Sequence, residues 1–253
     1  MSRQRTKDEL LQHKEDALKK LESYMDSLIN DANSKMNGKS DKLSYWLEDW
    51  TTFLEYEPIF SPKSLRRYKR GEIVKAHLGF NVGSEEGGLH YCVVLDNDNP
   101  ISTPVVTVVP LTSVKKKTDL SKLKKGSVYL GNEIFTNLIS KFSIVDKTLS
   151  ERISRLQTRI DSIDAKTTHE DIKSIKEELD IAKREQELLN RMRTEVLRMK
   201  IGSIALTNQI RTISKIRIYD PKTNHDILSG VKLSNEKLDL IDNEIIGNFT
   251  KKK

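Results

Sequence analysis

The chain has 253 residues, 36% of them hydrophobic and 32% charged, a balance that suits one large or two small soluble domains rich in exposed helix and excludes a chain disordered throughout. No apolar run approaches the ~18 residues of a membrane-spanning helix, and the opening MSRQRTKDELLQHKED has no signal-peptide core, so a cytoplasmic protein that does not enter a membrane is expected. The formal net charge of +7 favours polyanionic partners, since Lys and Arg that neutralise phosphates release counterions. Charge alone leaves RNA, DNA and an acidic protein open.

In chain order, Thr6 with Glu9 forms a capping-box pattern ahead of a helical stripe of Leu10, Ala17, Leu21, Tyr24 and Leu28. A polar break, NSKMNGKSD from Asn33 to Asp41, precedes a second stripe of Leu43, Trp46, Leu47, Trp50 and Leu54. The spacing reads as packing and not as a base-stacking platform. Pro58 and Pro62 close this module. Arg66, Arg67, Lys69 and Arg70 then surround Tyr68 as a first basic run.

Glu72 to Leu78, Leu89 to Leu95 and Val105 to Val109 are rich in Val and Ile and bounded by turn residues, which predicts strands; Ser127 to Leu130 adds a short one. The brief connections imply a bent antiparallel sheet closing toward a small barrel. Cys92, the single cysteine, falls inside the second strand and reads as a buried residue. Lys115, Lys116, Lys117, Lys122, Lys124 and Lys125 follow the third strand as a second basic run, to be read as solvated surface or as a phosphate track.

Leu149, Ile153, Leu156, Ile160 and Ile163 step by four and three, a heptad seam. Thr167 with Glu170 reads as a second capping box before Ile172, Ile175, Leu179, Ala182 and Leu189. Two helices joined by a few residues predict an antiparallel hairpin whose packing partner the spacing leaves open. Gly202 returns the chain to strands from Ser203 to Ile213 and Lys215 to Tyr219. Ser234 caps a last helix with Leu238, Ile241 and Ile245 on its apolar face.

The segments that carry chemistry are KRGEIV (Lys69 to Val74), GSEEGG (Gly83 to Gly88) followed by Leu89-His90-Tyr91, PLTS (Pro110 to Ser113) and NQIRTIS (Asn208 to Ser214). Together these resemble the PemK/MazF family of toxin endoribonucleases. The resemblance covers about residues 66 to 131 and 201 to 249. It implies an α+β protein: a small SH3-like antiparallel β-barrel with N-terminal helices, an inserted coiled-coil helical hairpin and a C-terminal helix. The expected division is a helical module at 1–62, a discontinuous barrel at 63–137 and 201–253, and the hairpin at 138–200.

The resemblance further implies a homodimer that cuts single-stranded RNA without a cofactor. The ribose 2′-hydroxyl attacks the adjacent phosphate, leaving a cyclic phosphate and a 5′-hydroxyl, and an acidic antitoxin protein occupies the RNA groove. Such a reaction needs groups to take one proton, supply another and hold the phosphate oxygens. By position, His90 stands where the family usually has arginine, Thr112 and Ser113 fall on its threonine-serine pair, and Glu85, Gln209 and Arg211 match its loop and late-strand motifs. Those six residues with Lys115, Lys116 and Lys117 are the expected site: His90, Thr112 and Ser113 catalytic, the others RNA-binding.

Two departures stand out. His90 can lose a proton where an arginine cannot, and Asn208 replaces the usual acid. The same substitutions fit a rival reading, a catalytically inactive RNA- or protein-binding module on the barrel. Arg211 fits either phosphate binding or an internal lock. Neither an HExxH nor a CxxC pair occurs, so no metal site is expected.

Overall fold

The computed structural model describes residues 5–164 and 167–251. Two compact units emerge, Met1–Pro58 and Ile59–Lys253. In the first, helix α1 (Lys7–Ile29) opens on the capping box: the Thr6 hydroxyl accepts from the Glu9 amide at 3.3 Å and the Glu9 carboxylate accepts from the Thr6 amide at 2.7 Å. Helix α2 (Ser34–Tyr56) returns along it, with Leu28 and Leu43 buried and the Lys39 ammonium donating to the Tyr24 hydroxyl at 2.7 Å. Trp50, placed in the packed stripe by its spacing, is half exposed, as are Leu10 and Leu54, because two helices alone cover only a narrow seam.

The second unit is built on a seven-stranded antiparallel sheet of β1 (Ile73–His77), β2 (Leu89–Val94), β3 (Val105–Ser113), β4 (Ser127–Gly131), β5 (Ser203–Leu206), β6 (Arg211–Ser214) and β7 (Ile218–Asp220). Its strand order is β4-β5-β3-β2-β1-β7, with β6 also on β3. Strand β3 is longer than its apolar run predicts because it serves two partners: Val105 to Val108 pair with β6, and Leu111 to Ser113 pair with β5. Pro110, which has no amide to donate, lies between those two ladders. The run from Ser203 to Ile213 is likewise two short strands, parted by a 3-10 turn at Thr207–Gln209.

Strand alternation sends side chains to two cores. Val74, Ala76, Cys92, Val94, Val106 and Val108 face inward, joined by Tyr68, Leu78, Ile213 and Ile218. Ile73, Val93, Val109 and Leu111 face the opposite way, onto Leu138, Met192 and Ile241. Those last three belong to helices α3 (Glu133–Asp161), α4 (His169–Arg198) and α5 (Asn235–Phe249). The molecule is therefore α+β, as its strand and helix patterns predicted.

Helices α3 and α4 form the hairpin. Leu149, Leu156, Ala182 and Leu189 are buried between them, and one flank is crossed by Arg152–Glu185 and Arg159–Glu178 ion pairs, each at 2.9 Å. Ile153, Ile160 and Ile163 of the expected heptad seam remain about half exposed on the other side, since a two-helix contact buries one stripe only. The second capping box is shifted by one residue: Thr168 caps α4 reciprocally with Asp171, while the Thr167 hydroxyl accepts from the Asp164 amide. Gln209, placed by the turn between β5 and β6, and the loop before β2 set up the site.

Candidate active site

The connection between β1 and β2, residues 78–88, is closed by reciprocal backbone bonds at its base. The Leu78 amide donates to the Gly88 carbonyl at 2.7 Å, and the Gly88 amide to the Gly79 carbonyl at 2.8 Å. Gly88 takes a φ of +83°, and a Cβ on Gly87 would sit 2.7 Å from the Gly79 carbonyl oxygen, so this closure depends on glycine at both positions. Asn81 braces the loop from within, donating to the carbonyls of Leu78 at 3.2 Å and Glu86 at 2.6 Å.

Gln209 braces it from without. Its side-chain oxygen accepts from the Glu86 amide at 3.1 Å, and its nitrogen donates to the Ser84 carbonyl at 3.3 Å. The Arg211 guanidinium donates to the Leu78 carbonyl at 3.3 Å and Arg217 to the His77 carbonyl at 2.8 Å. Burial, with the charge of Arg211 adding to it, pulls Arg217 below the ordinary arginine range. Of the two roles open to Arg211, the contact present here is the internal lock.

This bracing fixes Glu86 against His90. The ring Nδ1 lies 3.1 Å from the Leu111 carbonyl, and Nε2 lies 3.1 Å from a carboxylate oxygen of Glu86. A carbonyl only accepts, so Nδ1 carries a proton and Nε2 is the nitrogen left for chemistry. Both side chains keep partial access to solvent, 23% for His90 and 28% for Glu86. Glu85, chosen from the motif, is instead exposed on the loop. The spacing of Glu86 four residues before His90 was the available signal, and a loop closed at both ends turns that spacing into contact.

Cys92 pairs with Pro110 across β2 and β3, and alternation puts His90 and Thr112, each two residues from that pair, on one face. Ser113 points to the other face and pairs through its backbone with Ser203 of β5. Neither the Thr112 nor the Ser113 hydroxyl has a hydrogen-bond partner among the described residues. Lys115, Lys116 and Lys117 follow directly and are exposed. Asn208 is exposed over Gly126, where an added Cβ would meet it at 2.8 Å.

The first basic run is used differently. Arg66 pairs with the buried Glu72 at 2.7 Å, Arg67 pairs with Asp98, and Arg70 pairs with Asp242 while also donating to the Leu95 carbonyl. Three of its four cations thus have carboxylate partners within the unit. Cys92 is fully buried, and burial pushes its thiol up to about 12, so it stays protonated.

Residues 69–182 match the model of the PemK-like, MazF-like toxin of type II toxin-antitoxin system. Over these residues the chain is similar to the PemK/MazF-like family. The family implies toxin endoribonuclease activity at the level of the group. No curated protein matches the chain. The matched PemK/MazF-like segment contains the braced loop, His90, Thr112 and the second basic run, and it extends through α3 into α4. Gln209 and Arg211 come from outside it.

Proposed function

We propose that the chain is a toxin-like, metal-independent endoribonuclease that cleaves single-stranded RNA by attack of a 2′-hydroxyl, leaving a 2′,3′-cyclic phosphate and a 5′-hydroxyl. The observation that carries this reading is His90, held by the braced loop on the same face as Thr112, whose hydroxyl is unpartnered among the described residues, inside a PemK/MazF-like segment. His90 exchanges a proton or stabilises charge, Thr112 and Ser113 donate to phosphate oxygens, and Lys115, Lys116 and Lys117 guide the strand. Gln209 and Arg211 act by keeping the loop in place, and Glu85 offers its exposed side chain to the RNA. The helical module, the discontinuous barrel and a coiled-coil hairpin are proposed as three functional parts of a cytoplasmic homodimer, with an acidic antitoxin as protein partner.

A second reading, an inactive RNA- or protein-binding module, is favoured by one observation: both ring nitrogens of His90 already face acceptors. Incubation of the purified protein with a long RNA in EDTA, with mapping of cut sites and product ends, separates the two. Discrete cuts ending in cyclic phosphates support the nuclease, and RNA bound but intact supports the binding module.

A further inference from the structure

We propose that Glu86 is the general base and His90 the general acid of this site, a pair that passes its proton internally between turnovers. The inference rests on the endoribonuclease reading and adds Glu86, a residue that the family motif does not single out.

The geometry is specific. Nδ1 of His90 is committed to the Leu111 carbonyl, which leaves Nε2 as the only ring atom able to exchange a proton. Among the described residues that atom has one neighbour able to take or return a proton at hydrogen-bond distance, the Glu86 carboxylate at 3.1 Å. Glu86 is aimed from both sides of its peptide, by Gln209 on its amide and Asn81 on its carbonyl. Its second carboxylate oxygen has no hydrogen-bond partner among the described residues, and the side chain is part-exposed, so it is accessible to a ribose hydroxyl. A carboxylate at this point also supplies the function missing at Asn208, which lies over Gly126.

The 2′-hydroxyl gives its proton to Glu86 as the 2′ oxygen forms its bond to phosphorus. The bond from phosphorus to the 5′ oxygen breaks, and that oxygen takes the Nε2 proton of His90. Glu86 is then a carboxylic acid 3.1 Å from a bare Nε2, and transfer of its proton across that contact restores the starting state. Throughout, Nδ1 keeps its proton on Leu111.

Acid and base are told apart by the leaving group. An RNA with a 5′-thio linkage at the cut site expels a thiolate that needs no proton. Assayed in EDTA on ordinary RNA, Glu86→Gln and His90→Ala should each lower kcat by about 10²-fold with little change in KM. On the 5′-thio RNA, His90→Ala should recover to within about tenfold of the unaltered protein, while Glu86→Gln stays impaired. Without RNA, the imidazole N–H that exchanges slowly because it faces Glu86 should vanish from the proton spectrum of Glu86→Gln, with the Nδ1 proton retained. Full activity of Glu86→Gln, or its rescue by the thio linkage, overturns the assignment and leaves the nuclease reading standing. An unaltered protein that cuts neither RNA removes both.

Discussion

Two adjacent residues of β2 meet carboxylates on opposite faces of the same sheet, and the two pairings have different chemical prospects. His90 meets Glu86 from a neighbouring loop, each side chain about a quarter exposed. Tyr91 donates to Glu195, which arrives from α4 and also binds the Lys75 ammonium at 2.6 Å, with its own side chain 12% exposed. Burial pushes Glu195 up, but the hydrogen bonds from Lys75 and Tyr91 and the charges of Lys75 and Arg198 outweigh it and hold the carboxyl below its ordinary range. Tyr91 moves the other way, raised by burial and by Glu195 itself. A carboxylate with two donors in a dry setting is a fastener. One facing a lone ring nitrogen near solvent has room to exchange protons.

Breaking each side in turn sharpens the contrast. The largest effect is expected from Glu195→Ala, which strands Lys75 and unpins the hairpin from the sheet. It should cost about 3 kcal/mol in denaturant unfolding, the scale of a broken buried pair. An unchanged midpoint would show that the hairpin is held elsewhere, for instance by Lys141, whose ammonium binds the carbonyls of Asp226, Ile227 and Ser229. On the other face, His90→Ala and Thr112→Ala should each depress cleavage by about 10²-fold or more with unfolding unaltered. Full activity in both variants would refute the assigned site.

A smaller loss is expected when the brace is removed. Gln209→Ala frees the loop amide of Glu86 and should slow cleavage about tenfold, since a displaced catalytic group is costly even when its chemistry is intact. Limited proteolysis between residues 82 and 86 gives the independent readout, and equal resistance in both proteins would count against the brace. Replacing Lys115, Lys116 and Lys117 together by Ala should lower the salt slope of RNA binding by about 2, at roughly 0.7 per phosphate contact on a single strand. An unchanged slope would assign these lysines to solvent.

The smallest effect is a pH dependence. Because the folded state holds Glu195 below its unfolded value, its stabilisation is fully present above the ordinary carboxylate range and fades as pH falls through the lowered folded value. Urea midpoints of the unaltered protein and Glu195→Gln should therefore converge on acidification. Parallel curves would mean that Glu195 is not held in its charged form.

Much of this was legible in the residues. Apolar runs marked the strands, and the motif at Gly83 to His90 marked the loop and strand of the proposed site. The departures have local causes. Glu85 and Glu86 are chemically alike in the sequence, and only a loop closed on Gly79 and held by Gln209 sends the second of them to His90. Arg66, Arg67 and Arg70 read only as a basic run, because their carboxylates at Glu72, Asp98 and Asp242 are mostly far along the chain. Ile153 and Ile160 belong to the same four-three seam as Leu149 and Leu156, yet only the two leucines are buried in the hairpin contact.

The sequence by itself determined the α+β class and the helix starts at Thr6 and Ser234, because periodicity and capping are properties of neighbours, whereas the expected break at Asn33 to Asp41 lies, from Ser34 on, within α2. Only the tertiary structure decided which carboxylate faces the histidine, which cations remain free and what fastens the hairpin to the sheet. Those depend on groups far apart in the chain brought within about 3 Å, such as Gln209 on the Glu86 amide and Glu195 on Lys75, a distance that spacing along the chain does not encode.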